Sequence, residues 1–118
     1  DREVIRKILA KIADAQMADL ILTIGGIGCR EEDCVPEATK AVVDKEIPGI
    51  GESMRLFMTR TRKRAMLTRG TAGIRGKSLI VNLPGSPKAV KESLEYVLPH
   101  LGHGLGILRG TDGECGNS

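Results

Sequence analysis

The sequence predicts an α/β layered domain, on three observations. Two short aliphatic runs, Leu20-Ile21-Leu22-Thr23 and Leu79-Ile80-Val81-Asn82, each lead into a glycine-bearing turn, the pattern of buried strands. Apolar residues at helical spacing precede the first run and follow the second. Only Phe57 and Tyr96 are aromatic, so the core must be built from Ile, Leu, Val, Met and Ala, as where helices cover a sheet. A chain of 118 residues suits one domain, and folding it buries roughly two-thirds of its extended surface.

In chain order, Val4, Ile5, Ile8, Leu9 and Ile12 predict an amphipathic helix from Arg2 to Ala15. Asp19 to Ile24 reads as a strand, closed by Gly25-Gly26-Ile27-Gly28. Pro36 suits a first helical position with Glu37 in the first turn, so a helix should run to Glu46, with Pro48-Gly49 as its stop. Val35, at the cap position, has no side-chain oxygen for a free amide. A further helix is expected from Gly51 or Glu52 to Met58, then a strand pair, Ala72 to Arg75 and Ser78 to Asn82, turned at Gly76-Lys77. Val90, Leu94, Val97 and Leu98 place an apolar stripe on the helix after Pro87. Residues 1–108 form the expected domain, and 109–118, polar and glycine-rich, a flexible tail.

The turns carry the chemistry. After each strand, glycine permits close backbone approach, and the Pro84-Gly85-Ser86-Pro87 turn opens a helix whose N-terminus carries partial positive charge. Both are places to hold an anion, phosphate above all. Net charge is +3, but Arg55, Arg60, Arg62, Lys63, Arg64, Arg69, Arg75 and Lys77 follow one another without an acid, either a surface facing an anion or a solvated face. A nucleic-acid partner is disfavoured, because Phe57 alone cannot supply stacking platforms. Cys29, Cys34 and Cys115 fit neither a disulfide framework nor a zinc spacing, and read as reduced thiols. His100 and His103 read as polar residues near a helix end. With no membrane-length apolar run and no visible leader, a cytoplasmic location is the default expectation, with no membrane partner.

Taken together, Leu-Ile-Leu-Thr-x-Gly-Gly-x-Gly, Asp33, Pro36-Glu37-Ala38-Thr39, Ala72-Gly73-Ile74-Arg75-Gly76 and Leu83-Pro84-Gly85-Ser86-Pro87-Lys88-Ala89-Val90 resemble the molybdopterin-binding family of molybdenum cofactor biosynthesis. The likeness covers nearly the whole chain and extends to the family's molybdopterin adenylyltransferases and to the corresponding domain of gephyrin. It implies a three-layer fold, a mostly parallel sheet with helices on both faces, and a homotrimer. It also implies transfer of AMP from ATP to the terminal phosphate of molybdopterin, with release of pyrophosphate, help from Mg²⁺, and a molybdenum insertase as downstream partner. By the same resemblance, Asp33 is the catalytic, Mg²⁺-linked carboxylate. Thr23, Gly25, Gly26, Gly28, Thr68, Arg69, Asn82, Pro84, Gly85, Ser86 and Pro87 would then bind nucleotide or pterin.

The sequence departs from the family pattern in the acidic loop. Ile27 stands where threonine is usual, Glu32 where arginine is usual, and Val35 where a capping threonine is usual. Family members also begin with a strand, helix and strand ahead of the segment that starts here, so an incomplete domain is expected. These departures sustain a second reading, a module that retains molybdopterin or a nucleotide without turning it over.

Overall fold

The computed structural model describes residues 1–110 as four strands, four α-helices and one short 3-10 segment. Helix α1 (Arg2–Asp14) is capped by Asp1, whose carboxylate accepts the amides of Glu3 and Val4. Strand β1 (Leu20–Ile24) follows, then α2 (Val35–Val42), the two-residue β2 (Lys45–Glu46) and α3 (Pro48–Met58). After the 3-10 segment Lys63–Leu67 come β3 (Ala72–Arg75), β4 (Ser78–Leu83) and α4 (Pro87–Arg109).

The sheet has the order β1-β4-β3-β2. β1 lies parallel to β4, with Thr23 opposite Asn82, while β3 pairs antiparallel with both β4 and β2. Alternation along β4 separates two cores. Leu79, Val81 and Leu83 face Met54 and Met58 of α3 and Ala89, Val97 and Leu101 of α4. Ile80 joins Ile21, Leu9, Ala13 and Val42 beneath α1 and α2. Helices thus cover both faces, giving the three layers expected.

Several boundaries differ from the sequence reading. The second helix ends at Val42 because Val43 is extended and the Asp44 amide donates to the carbonyl of Ile74, which turns the chain into the sheet as β2. Pro48 opens α3 instead of stopping α2, since a residue without an amide hydrogen serves a first helical position equally well. Helix α4 runs through Pro99, so His100 and His103 lie within it, and Arg109 belongs to the helix, ion-paired with Asp19. The rest of the expected tail, residues 111–118 with Cys115, lies outside the described residues. On α4 the buried stripe is Ala89, Ser93, Val97 and Leu101, with Leu98 exposed, and on α1 Val4 and Ile8 are exposed. None of the helices is long and apolar enough to cross a membrane, among the described residues.

Two helical glycines should respond oppositely to alanine. A Cβ at Gly51 would sit 2.4 Å from the carbonyl oxygen of Gly70, whereas one at Gly102 meets nothing within 4 Å. Gly102→Ala should stabilise by about 0.5–1 kcal/mol through helix propensity. Gly51→Ala should destabilise by about 1–3 kcal/mol despite the same propensity gain, because backbone must move. Denaturant midpoints of the two variants check both signs.

Candidate functional site

Parallel pairing brings the two strand exits to one edge of the sheet, where ligands of α/β folds collect. The Gly25 amide donates to the carbonyl of Leu83 at 3.0 Å, and a Cβ on Gly85 would lie 3.4 Å from the Cα of Gly25. The two predicted turns therefore abut. Gly25 and Gly26 have φ of 88° and 70°, the left-handed region where a side chain is strained. That geometry folds the loop back so that the carbonyl of Gly26 accepts the Val35 amide at the start of α2.

One wall beyond this junction is built by the start of α4. Ser86 caps it, its Oγ accepting the Ala89 amide at 3.2 Å, and Pro87 holds the first helical position. Thr68, Pro84 and Ser86 line a cleft of about 430 Å³ together with Arg62, Lys63 and Arg64. Arg62 is held by Glu92 at 2.8 Å, while Lys63 and Arg64 are exposed and form no ion pair among the described residues. Two unpaired cations beside a helix N-terminus suit an anionic group. A sequence reading could not single these residues out of the basic run. That run is not one surface: Arg55 donates to the carbonyl of Gly70, Arg62 pairs with Glu92, Arg69 with Glu37, and Arg75 with Asp14.

The acidic loop lies beside the glycines. Asp33 Oδ2 accepts the Arg30 amide at 3.0 Å and stands where a Cβ on Gly28 would come within 2.8 Å of it. Arg69, expected to meet a ligand, is committed to this loop. Its Nε donates to the carbonyl of Gly28 and its Nη2 to that of Asp33, both at 2.7 Å, while Nη1 holds the Glu37 carboxylate. Arg69 holds the Glu37 carboxyl below the usual carboxylate range, and Glu37 raises the Arg69 guanidinium above its own.

Among the described residues no group of three or more His, Cys, Asp or Glu side chains converges as a metal cage. A Mg²⁺ held by one carboxylate together with substrate phosphates and water needs no cage. Asp33 fits that lesser role, because the Arg30 amide engages Oδ2 and not Oδ1.

Asn82, expected to contact ligand, is instead fully buried. Its Oδ1 accepts the Thr71 amide at 3.1 Å, and its Nδ2 donates to the hydroxyls of Thr23 at 3.0 Å and Thr39 at 2.9 Å. It stands behind the site, joining β4 to β1, α2 and the segment before β3, with Thr23 only half-buried at its outer side. Ile27 is also turned inward, 6% exposed, with its Cδ1 against Gly70.

Residues 1–103 match the family described as "Probable molybdopterin binding domain". The chain is 44% identical over 111 residues to the molybdopterin adenylyltransferase of Helicobacter pylori, covering 94% of this chain and 63% of that protein. It is 42% identical over 97 residues to the molybdopterin adenylyltransferase of Escherichia coli K12, covering 82% and 50%. The chain therefore spans less than two-thirds of the length of these curated relatives. Among solved structures, the molybdopterin biosynthesis enzyme MoaB from Thermus thermophilus superposes with a TM-score of 0.86 at 50% identity, over 93% of this chain and 69% of that one. The Mog protein from Mycobacterium ulcerans gives 0.86 at 37% identity, over 90% and 69%.

Replacing Asn82 with Ala should cost about 1–3 kcal/mol for the stranded Thr71 amide alone, read as a lowered denaturant midpoint. The Arg69–Glu37 pair contributes stability above the ordinary glutamate range and loses it as pH falls through the lowered Glu37 value. Both side chains are more than a third exposed, so the contribution is roughly 0–1 kcal/mol. Melting wild type and Glu37→Gln from neutral to acidic pH should show their difference closing as pH falls.

Proposed function

This chain belongs to the molybdopterin-binding domain family of molybdenum cofactor biosynthesis, and on that footing we propose that its site transfers AMP from ATP to the terminal phosphate of molybdopterin. The observation that carries the proposal is the contact between the Gly25 and Gly85 turns, which sets the glycine loop next to the turn that opens α4, at the edge of the basic cleft.

In this reading the Gly25, Gly26 and Gly28 loop receives the nucleotide. Ser86, Lys63, Arg64 and the first turn of α4 receive the pterin phosphate. A pterin phosphate oxygen forms a bond to the α-phosphorus of ATP as the bond to the β-phosphate breaks, and pyrophosphate leaves. The chain's own contribution is to orient the two anions and offset the charge that spreads during transfer, which is most of what such reactions require. When bound, Mg²⁺ supplies charge neutralisation at the phosphate oxygens, and Asp33 is the residue that would hold it.

Further readings belong to the same proposal. Leu56, Met66 and Leu67 are exposed apolar residues suited to self-association, in keeping with a homotrimer. Free thiols at Cys29 and Cys34 accord with a reducing cytoplasm. The adenylylated pterin would pass to a molybdenum insertase. A second reading, retention of ligand without turnover, draws on the exposed acids Glu31 and Glu32 beside Asp33, which repel polyphosphate.

Incubating the full-length protein with molybdopterin, ATP and Mg²⁺ tests the proposal. Pyrophosphate and adenylylated pterin are expected, whereas folded protein that binds ligand saturably and yields no product establishes the second reading. Asp33→Asn should lower turnover on the order of 100-fold while leaving nucleotide affinity nearly intact. An unchanged rate removes Asp33 from the mechanism.

A further inference from the structure

We propose that Arg69 is a positioning residue whose guanidinium fastens the Gly28 to Asp33 loop onto α2, and so sets where the Asp33 carboxylate stands in the reaction proposed above, on which this inference rests.

Three donors of one planar group are spent on three points of the loop and helix. Nε donates to the carbonyl of Gly28, Nη2 to the carbonyl of Asp33, and Nη1 to the carboxylate of Glu37 in the first turn of α2. The carbonyls at the two ends of the loop are thereby drawn to neighbouring nitrogens of a rigid fork, which closes the loop into a ring. The Arg69 amide adds a bond to the carbonyl of Ile27 at 2.7 Å, and Cys29 Sγ donates to the carbonyl of Leu67 at 3.3 Å. The segment 67–69 is thus stitched along the loop's first half.

The fork itself has a firm base. Two residues on, Thr71 exchanges two hydrogen bonds with Asn82, the buried centre behind the site, so the arginine connects an exposed loop to the interior of the sheet. Among the described residues Asp33 otherwise bonds only to Arg30, whose amide donates to its Oδ2 and whose carbonyl accepts its own amide, and Arg30 belongs to the same loop and would move with it. Lysine keeps the charge but cannot span two carbonyls and a carboxylate at once.

The alternative is a direct anion contact, and the two roles separate experimentally. In the full-length protein, three quantities are measured for wild type, Arg69→Lys and Glu37→Gln: amide hydrogen exchange over residues 28–35, ATP affinity by titration without pterin, and kcat with KM. A positioning role predicts that Arg69→Lys speeds exchange in that segment about tenfold, as for the loss of hydrogen bonds worth that ratio. It also predicts that kcat falls while KM for ATP changes little, with Glu37→Gln moving both in the same direction by less. Unchanged exchange in Arg69→Lys overturns the proposal. So does tighter ATP binding in Glu37→Gln, which would show an arginine freed to meet phosphate. Should Arg69→Lys not fold, Glu37→Gln alone decides by the same exchange measurement. If wild type yields no adenylylated pterin, the reaction reading fails, while exchange and ATP affinity still determine whether Arg69 holds the loop.

Discussion

The site depends on one constraint, the parallel pairing of β1 with β4 in a register that sets Thr23 against Asn82 and Ile24 against Leu83. Parallel strands in register finish together, so the glycines after β1 and the Pro-Gly-Ser-Pro turn after β4 must emerge side by side. An antiparallel pairing of the same strands would place them at opposite ends of the sheet. What holds the register is β4 itself. One face of the strand, Leu79, Val81 and Leu83, is wholly apolar, whereas the other runs Ser78, Ile80, Asn82. The two polar members stand at the strand's two ends. Ser78 donates to the carbonyl of Ala18 just before β1, and Asn82 gathers Thr23, Thr39 and the Thr71 amide. A one-residue slip would bury these groups without partners, a penalty larger than any single packing gain.

Charge is organised by a similar division of labour. Half of the basic run from Arg55 to Lys77 is turned inward to carbonyls and carboxylates. Arg75 reaches both the Asp14 carboxylate at the end of α1 and the carbonyl of Val42 at the end of α2. Arginine suits such places, because one planar group satisfies several acceptors that lysine could not reach together. Lys63 and Arg64, which form no ion pair among the described residues, line the cleft beside the start of α4.

Much of this was legible in the sequence. Strands β1 and β4, the turn at Gly76, which has a φ of 59°, and the helix after Ser86-Pro87 all announce themselves through local patterns. So do both glycine turns, because glycine in a strand exit has a local cause. Strand β2 does not: Lys45 and Glu46 carry no strand signal, and they are extended only because Asp44 and Ile47 donate to carbonyls of Ile74 and Ala72. The 3-10 segment is hidden for the same reason, as a basic run without apolar period. The family resemblance implies ligand contacts for Asn82 and Arg69, yet most of the side-chain partners that hold them lie 32 to 59 residues away in sequence. Neither role can be seen until the chain is folded.

The three departures in the acidic loop act differently once folded. The side chain at 27 is inside, packed on Gly70, so isoleucine in place of threonine adds apolar burial there instead of subtracting a donor from the cleft. At the start of α2 no side chain caps the helix, but Val35 already gives its amide to Gly26 and Pro36 has none to give, so little is left for a hydroxyl to satisfy. Glu32 is exposed, so its charge acts through solvent, where screening weakens it. None of the three side chains takes part in the hydrogen bonds that hold the loop at Asp33, which run from the Arg69 guanidinium to the carbonyls of Gly28 and Asp33 and to Glu37, and from the Arg30 amide to the Asp33 carboxylate.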